Sequence, residues 1–307
     1  MKPKIVLTVL AALTLAAVVS AVAIRQRHLS LNSSPAHAHA FQVHGQIRGI
    51  DPIAKTIRLS HEEIVNYMPA MTMSLPVKDA ALLRNLVVGE EVQFELLVTD
   101  NDSWVSHIEK TQSEPSTVQA ETEPTRPLEE IEAESLRAGE MVPDFKLTNQ
   151  DGQEIHLTDF RGKAVVLTFI YTRCPLPNFC PLMSKNFAEL EQRLSREFPN
   201  KFQLLSVSLD PEFDRPEVLK EYAARYRADP KDWSFAAGDT DSLNFVAGLV
   251  GLYFEKQNGL ISHDLRTALI GPDGRLVQLW KSNVWTPYEV QRSVRETLTG
   301  HTDVVSR

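Results

Sequence analysis

The sequence predicts two folded parts in series, a small all-β barrel followed by an α/β sandwich. Three observations carry this. Residues 41–110 alternate apolar and polar positions in short runs, the period of two expected of half-buried strands. Residues 111–138 turn to Ser, Thr, Pro, Gln and Glu with few large apolar side chains. Such a stretch buries too little surface to offset its chain entropy, which predicts a flexible acidic linker. From 139 to 300, near-continuous apolar runs of strand length alternate with helical periodicity, as in a layered α/β domain.

In the first part, 43–50 reads as a strand, Asp51-Pro52 opens a turn and 56–60 returns. Residues 79–85 suit a short helix, and strands are expected at 91–98 and 104–109. Short strands with little helix suggest a barrel of the OB type. In the second part, 164–171 suits the centre of a sheet, and 181–198 has helical spacing through Leu182, Phe187, Leu190 and Leu194. A buried strand follows at 202–209, then a helix at 216–226 with Pro216 in its first turn. A third helix is expected at 241–253. Residues 265–270 and 275–281 flank Gly271-Pro272-Asp273-Gly274, a hairpin pattern, and 286–298 closes as a helix. That is the element order of a thioredoxin-like fold.

A chain of 307 residues suits about two domains. Its formal charge of −8, without a Lys/Arg run in the folded parts, argues against a nucleic-acid partner. The N-terminus differs in kind. Lys2 and Lys4 precede an apolar run at 5–24, and Arg25, Arg27 and His28 follow it. At ~1.5 Å per residue such a run covers the ~30 Å hydrocarbon core of a bilayer. It exceeds the roughly 7–15 apolar residues of a signal peptide, although Ala21-Val22-Ala23 offers a cleavage site. Residues 1–28 are therefore expected to be a membrane anchor or a signal segment. The rest is expected at the inner membrane facing the periplasm, or free in the periplasm after cleavage.

Two cysteines in an exported protein form a structural disulfide, a redox pair or a metal pair. Cys174 and Cys180 bracket Pro175-Leu176-Pro177-Asn178-Phe179, where the first central strand hands over to a helix. The positive end of a helix dipole favours thiolate, the form that exchanges disulfides and binds soft metals. Two thiolates and an imidazole suit copper(I). His263, in Gly259-Leu260-Ile261-Ser262-His263-Asp264, is the candidate imidazole, because functional loops of an open α/β sheet gather at one end.

The string Thr168-Phe169-Ile170-Tyr171-Thr172-Arg173-Cys174-Pro175, followed by Cys180-Pro181, resembles the Sco/SenC family of copper proteins. Val142-Pro143-Asp144-Phe145, Asp159-Phe160-Arg161-Gly162-Lys163, Ser208-Leu209-Asp210-Pro211, Phe235-Ala236-Ala237-Gly238-Asp239 and Ser262-His263-Asp264 extend the likeness over 139–298. The resemblance implies a thioredoxin-like fold and copper bound by Cys174, Cys180 and His263. It also implies a role in assembling the copper centre of cytochrome c oxidase. Asp210 matches an acidic position near the family's site, and is expected to hold a ligand or loop in place. One departure stands out: five residues separate the cysteines, two of them proline, where the family commonly has three. This weakens the redox expectation more than the metal one. Leu176 and Phe179 are expected to be exposed beside the site.

Tyr67-Met68-Pro69-Ala70-Met71-Thr72-Met73 holds three of the six methionines. On an extended strand Met71 and Met73 share a face. His61 ends the preceding strand, so pairing of the two would gather an imidazole and two thioethers, a set suited to copper(I). The stretch 60–75 resembles the small periplasmic copper-binding domains of copper-efflux systems. That likeness implies His61, Met71 and Met73 as ligands. The family's tryptophan lid is replaced here by Met68 with Tyr67 before it, either of which is expected to stand in. His37, His39 and His44 are a weaker metal-binding pattern, and Trp233, Trp280 and Trp285 are expected in the core or at the site's rim.

Together these features predict an exported, membrane-tethered copper(I) metallochaperone. The methionine domain would capture copper and the cysteine domain would deliver it to a recipient cuproprotein, such as a copper-bearing cytochrome c oxidase subunit. A linker of this length gives an effective concentration on the order of mM for transfer within the chain. Two other functions fit the same residues. One is a thiol–disulfide reductase, with Cys174 and Cys180 as its redox pair, preparing target cysteines for metallation. The other is a copper-sequestering resistance protein.

Overall fold

The computed structural model describes residues 38–111 and 133–300. The apolar run at 5–24 and most of the acidic segment lie outside the described residues. Among those described, no helix is long and apolar enough to cross a membrane.

The first part is a five-stranded sheet of β1 (His39–Asp51), β2 (Thr56–His61), β3 (Met71–Pro76), β4 (Glu91–Val98) and β5 (Ser103–Lys110), in the order β3-β2-β1-β4-β5. Strand β4 alternates half-buried and buried residues along its whole length, the pattern of one face on a core. A bridge between Val77 and Val105 brings the two edges together and curls the sheet into a barrel around Ile47, Leu59, Leu75, Phe94 and Leu96. The short helix expected at 79–85 is a single 3₁₀ turn, Ala80–Leu83, capped by the Asp79 carboxylate accepting from Ala81 N.

The second part is built on a seven-stranded sheet. Its strands are β6 (Lys146–Asn149), β7 (Glu154–His156), β8 (Ala164–Ile170), β9 (Phe202–Ser208), β10 (Trp233–Ala237), β13 (Arg266–Ile270) and β14 (Leu276–Lys281). Their order is β14-β13-β8-β9-β10-β6-β7, with β8, β9 and β10 parallel and β13 and β6 antiparallel beside them. Strands β8 and β9 are buried at every residue, which is why they read as continuous apolar runs. Parallel neighbours need crossovers, supplied by α1 (Cys180–Glu197) and α2 (Pro216–Arg225). Helices α3 (Thr240–Leu249) and α4 (Pro287–Thr299) complete the thioredoxin-like α/β domain.

The structure departs from the sequence expectations in several places. Strand β10 was not anticipated; it is five residues long and begins with Trp233, which is fully buried. The helix expected at 241–253 ends at Leu249. Gly251 turns at φ +62°, Leu252 N donates back to Ala247 O, and the chain continues into a hairpin of β11 (Phe254–Gln257) and β12 (Leu260–His263). Trp285 is buried in the core and Trp280 packs partly against it.

That hairpin ties the two parts together. β3 is an edge strand of the barrel, and the N–H and C=O of Thr72 point away from β2. Gln257 Oε1 accepts from Thr72 N at 2.6 Å, and Ser262 Oγ donates to Thr72 O at 2.6 Å. Asn258 Nδ2 donates to Ala70 O at 2.6 Å. Side chains thus satisfy a strand edge that would otherwise offer bare backbone. The cysteine loop makes a second tie. Tyr67 OH donates to Pro175 O at 3.0 Å, Ser103 Oγ donates to Asn178 Oδ1 at 2.6 Å, and Asn178 Nδ2 returns to Ser103 O at 2.9 Å. Leu176, expected to be exposed, is only 1% exposed and belongs to the barrel's apolar core, while Phe179 is half-buried between both cores. The barrel mouth is apolar, and seating a leucine there contributes roughly 1.5–3 kcal/mol.

Leu176→Ala is therefore expected to cost about 2–5 kcal/mol in denaturant unfolding, as for a core leucine. A cost within about 0.5 kcal/mol, typical of a surface loop, would contradict its burial.

Candidate copper site

Cys174 sits in the turn after β8, its N–H on Tyr171 O at 3.3 Å, and Cys180 opens α1 with no exposed surface. Two buried carboxylates clamp the residues before Cys174. Asp210, 2% exposed, accepts from Arg173 Nη2 at 2.5 Å and Nε at 3.2 Å. The Arg173 guanidinium also lies 4.2 Å over the Phe213 ring. Asp214, fully buried, accepts from Thr172 N at 2.9 Å, from the Thr172 hydroxyl, and from Ser208 Oγ at 2.5 Å. Burial pushes the Asp214 carboxyl up, against the pull of those hydrogen bonds. Asp210 thus bonds the loop through Arg173, and Asp214, which the sequence reading did not single out, bonds it through Thr172.

The thiols are free, and their environments differ. Burial works against ionising Cys174, but hydrogen bonds from the Cys180 thiol, the Cys180 backbone and the Leu176 region outweigh it and bring its pKa below the ordinary thiol value. Burial, reinforced by the neighbouring Cys174, pushes the Cys180 thiol well up. Cys174 Sγ lies 3.8 Å from Leu176 O, while Cys180 Sγ lies 3.5 Å from His263 Nε2. His263 ends β12, its ring edge-on to Tyr171 at 5.8 Å. Its Nδ1 faces Asp264 O at 2.6 Å; a carbonyl can only accept, so Nδ1 carries the proton and Nε2 the lone pair. Among the described residues, no three His, Cys, Asp or Glu side chains stand close enough to enclose a metal as placed.

The methionine strand falls as expected. His61 pairs with Met71 and Leu59 with Met73 across β2 and β3, so His61, Met71 and Met73 share one face. His61 is buried, and its Nδ1 faces Glu62 O at 2.6 Å, leaving the lone pair on Nε2 as in His263. Gly45 lies opposite His61; a Cβ there would stand 2.7 Å from Ser60 O, so only glycine permits this approach. Met68 is buried in the barrel core, bridged to Ile64, and Tyr67 stacks on Phe41 at 4.8 Å.

Both donor groups reach one cavity of about 20 Å³, lined among others by Met71, Met73, Tyr171, Cys174 and His263. By the size of a water probe, that is room for one small species. Cys180, His61 and Met68 do not line it. Two thioethers, a thiol and an imidazole are the soft and borderline donors that copper(I) prefers.

Residues 133–299 match the family model described as SCO1/SenC, more than half of the chain. The chain belongs to the SCO1/SenC family. A second model, copper binding periplasmic protein CusF, matches residues 40–110, so this SCO1/SenC protein carries an N-terminal CusF-like barrel. It is 30% identical over 152 residues to the SCO1 protein homolog of Bacillus subtilis (strain 168), covering 48% of this chain and 77% of that protein. It is 29% identical over 140 residues to a putative copper-binding protein of Stutzerimonas stutzeri, covering 44% and 66%. The solved structure of a SCO1/SenC family lipoprotein from Bacillus anthracis str. Ames is 28% identical, covers 53% of this chain and 98% of its own, and aligns with a TM-score of 0.47. The donor set described above fits copper, the metal named for the second family model and for the Stutzerimonas relative.

Asn178, Gln257 and Ser262, which join the two halves, and Asp214, which holds Thr172, were missed by the sequence reading.

Burial brings the His263 pKa down to about 4, against the pull of its bond to Asp264. An unfolded histidine titrates near 6.5. Between those values unfolding takes up a proton, so stability rises with pH across the window from about 4 to 6.5. In urea unfolding of the copper-free protein, His263→Gln is expected to remove up to one proton from that slope. An unchanged slope would show that the imidazole is not held neutral.

Proposed function

We propose that this protein is an exported, membrane-tethered copper(I) metallochaperone that passes copper to a recipient cuproprotein. The recipient implied by its family is the copper centre of cytochrome c oxidase. In this reading His61, Met71 and Met73 capture copper, with Met68 beside them in the barrel core. Cys174, Cys180 and His263 hold it more tightly for delivery, and Asp210 steadies the cysteine loop through Arg173. The observation that carries the reading is the convergence of thioethers, thiol and imidazole on a single cavity. Thioethers neither lose a proton nor form disulfides, which suits capture in an oxidising compartment.

Two free cysteines at a strand-to-helix turn also fit a second reading, a thiol–disulfide reductase acting on target cysteines. Here Cys174 would attack and Cys180 would resolve.

Loss of outer hydrogen-bond partners alone weakens metal sites about 10–100-fold. Replacing the ligands themselves, as Cys174→Ala with Cys180→Ala, is expected to lower copper(I) affinity by more than about 100-fold in competition with a chelator. Tight binding that survives in the double variant would overturn the assignment.

A further inference from the structure

We propose that the cavity between the barrel and the cysteine loop is itself a copper(I) site, in which Met71 and Met73 ligate the same ion as Cys174 and His263. The inference deepens the copper-chaperone reading and rests on it. Each half has its own complete donor set, so copper bound at separate places is the simpler expectation. Three observations point instead to a shared ion.

The first is position. Of the six ligands assigned to the two sets, the four that line the cavity come from both halves: Met71 and Met73 from β3, Cys174 from the loop, and His263 from β12. The remaining two, His61 and Cys180, do not line it. The second is size. At about 20 Å³ the cavity is small and has room for an ion between the two donor sets. The third is the mechanical tie. Ser262 donates to the backbone of Thr72, which lies between Met71 and Met73, and the next residue of β12 is His263. Both residues line the cavity, so one short segment grips the methionine strand with one side chain and presents an imidazole with the next. Leu176, seated in the barrel core two residues after Cys174, anchors the loop on the other side.

A shared ion makes transfer a ligand exchange rather than a release and recapture. As copper moves toward the cysteine pair, a thioether–copper bond breaks and a Cys180 thiolate–copper bond forms. The Cys180 proton goes to solvent. Copper stays copper(I), and no electron changes hands.

The test uses the full chain with selenomethionine in place of methionine, loaded with one equivalent of copper(I) and measured by X-ray absorption. A shared site gives one ion with both selenium and thiolate sulfur neighbours. In chelator competition, Met71→Leu with Met73→Leu then weakens the first equivalent by about tenfold, and this effect changes when Cys174→Ser is also present, since groups on one ion are not additive. Leucine approximates methionine in volume, and circular dichroism of the copper-free variants checks that they fold. If the first equivalent has thiolate neighbours without selenium, the second has selenium alone, and the substitutions add, the shared site is wrong and two separate copper sites stand. If tight binding survives loss of both cysteines, the chaperone reading itself fails.

Discussion

Much of this molecule depends on how a bare strand edge is satisfied. The outward N–H and C=O of Thr72 are met by Gln257 and Ser262, both from the β11–β12 hairpin of the other domain. A side chain offers only one or two such bonds, so the edge is covered without extending the sheet. The consequence reaches the chemistry. The methionines flank Thr72 and the imidazole follows Ser262, so satisfying one backbone unit brings thioethers and imidazole to the same small space. A further β-strand in that place would have satisfied the same edge and put backbone where the cavity now lies.

The cysteine loop answers to the same contact from the other side. Its five residues exceed the family's common spacing, and the structure gives the extra length a use. Leu176 fills the barrel mouth, Asn178 exchanges two hydrogen bonds with Ser103, and Pro175 accepts from Tyr67. Behind the loop, Asp210 and Asp214 fix Arg173 and Thr172. These carboxylates act unequally. Losing Arg173 would strand a buried charge on Asp210, a situation that costs about 3–5 kcal/mol, whereas an Arg173 freed of Asp210 can turn toward water. The loop is thus held by buried carboxyl groups at its start and by apolar packing at its centre.

The strands and helices were largely legible because their signals are local. The apolar runs of β8 and β9, the Pro at the start of α2 and the turn at Gly271-Pro272-Asp273-Gly274 each depend on a few neighbouring residues. The register that faces His61 with Met71 followed from strand pairing alone. The end of α3 at Leu249 was missed because Val250, Leu252 and Tyr253 continue an apolar pattern, although Gly251 reverses the backbone. The β11–β12 hairpin was missed because its outward residues bond to another domain rather than to water. Leu176 was misplaced for the same reason: a leucine between prolines in a loop reads as exposed unless a partner surface is known. The two donor sets were legible one at a time. Their meeting was not, because it arises from contacts between residues nearly two hundred positions apart, which no local pattern encodes.

The barrel and the thioredoxin-like domain are joined so that both donor sets open on one cavity. Nuclear Overhauser contacts in the copper-free full chain, with methionine methyl groups labelled, test this joining. Contacts are expected from the Met71 and Met73 methyls to the ring protons of Tyr171 and His263. If those methyls contact only barrel residues, the two sites do not share a cavity and the joining described above is wrong.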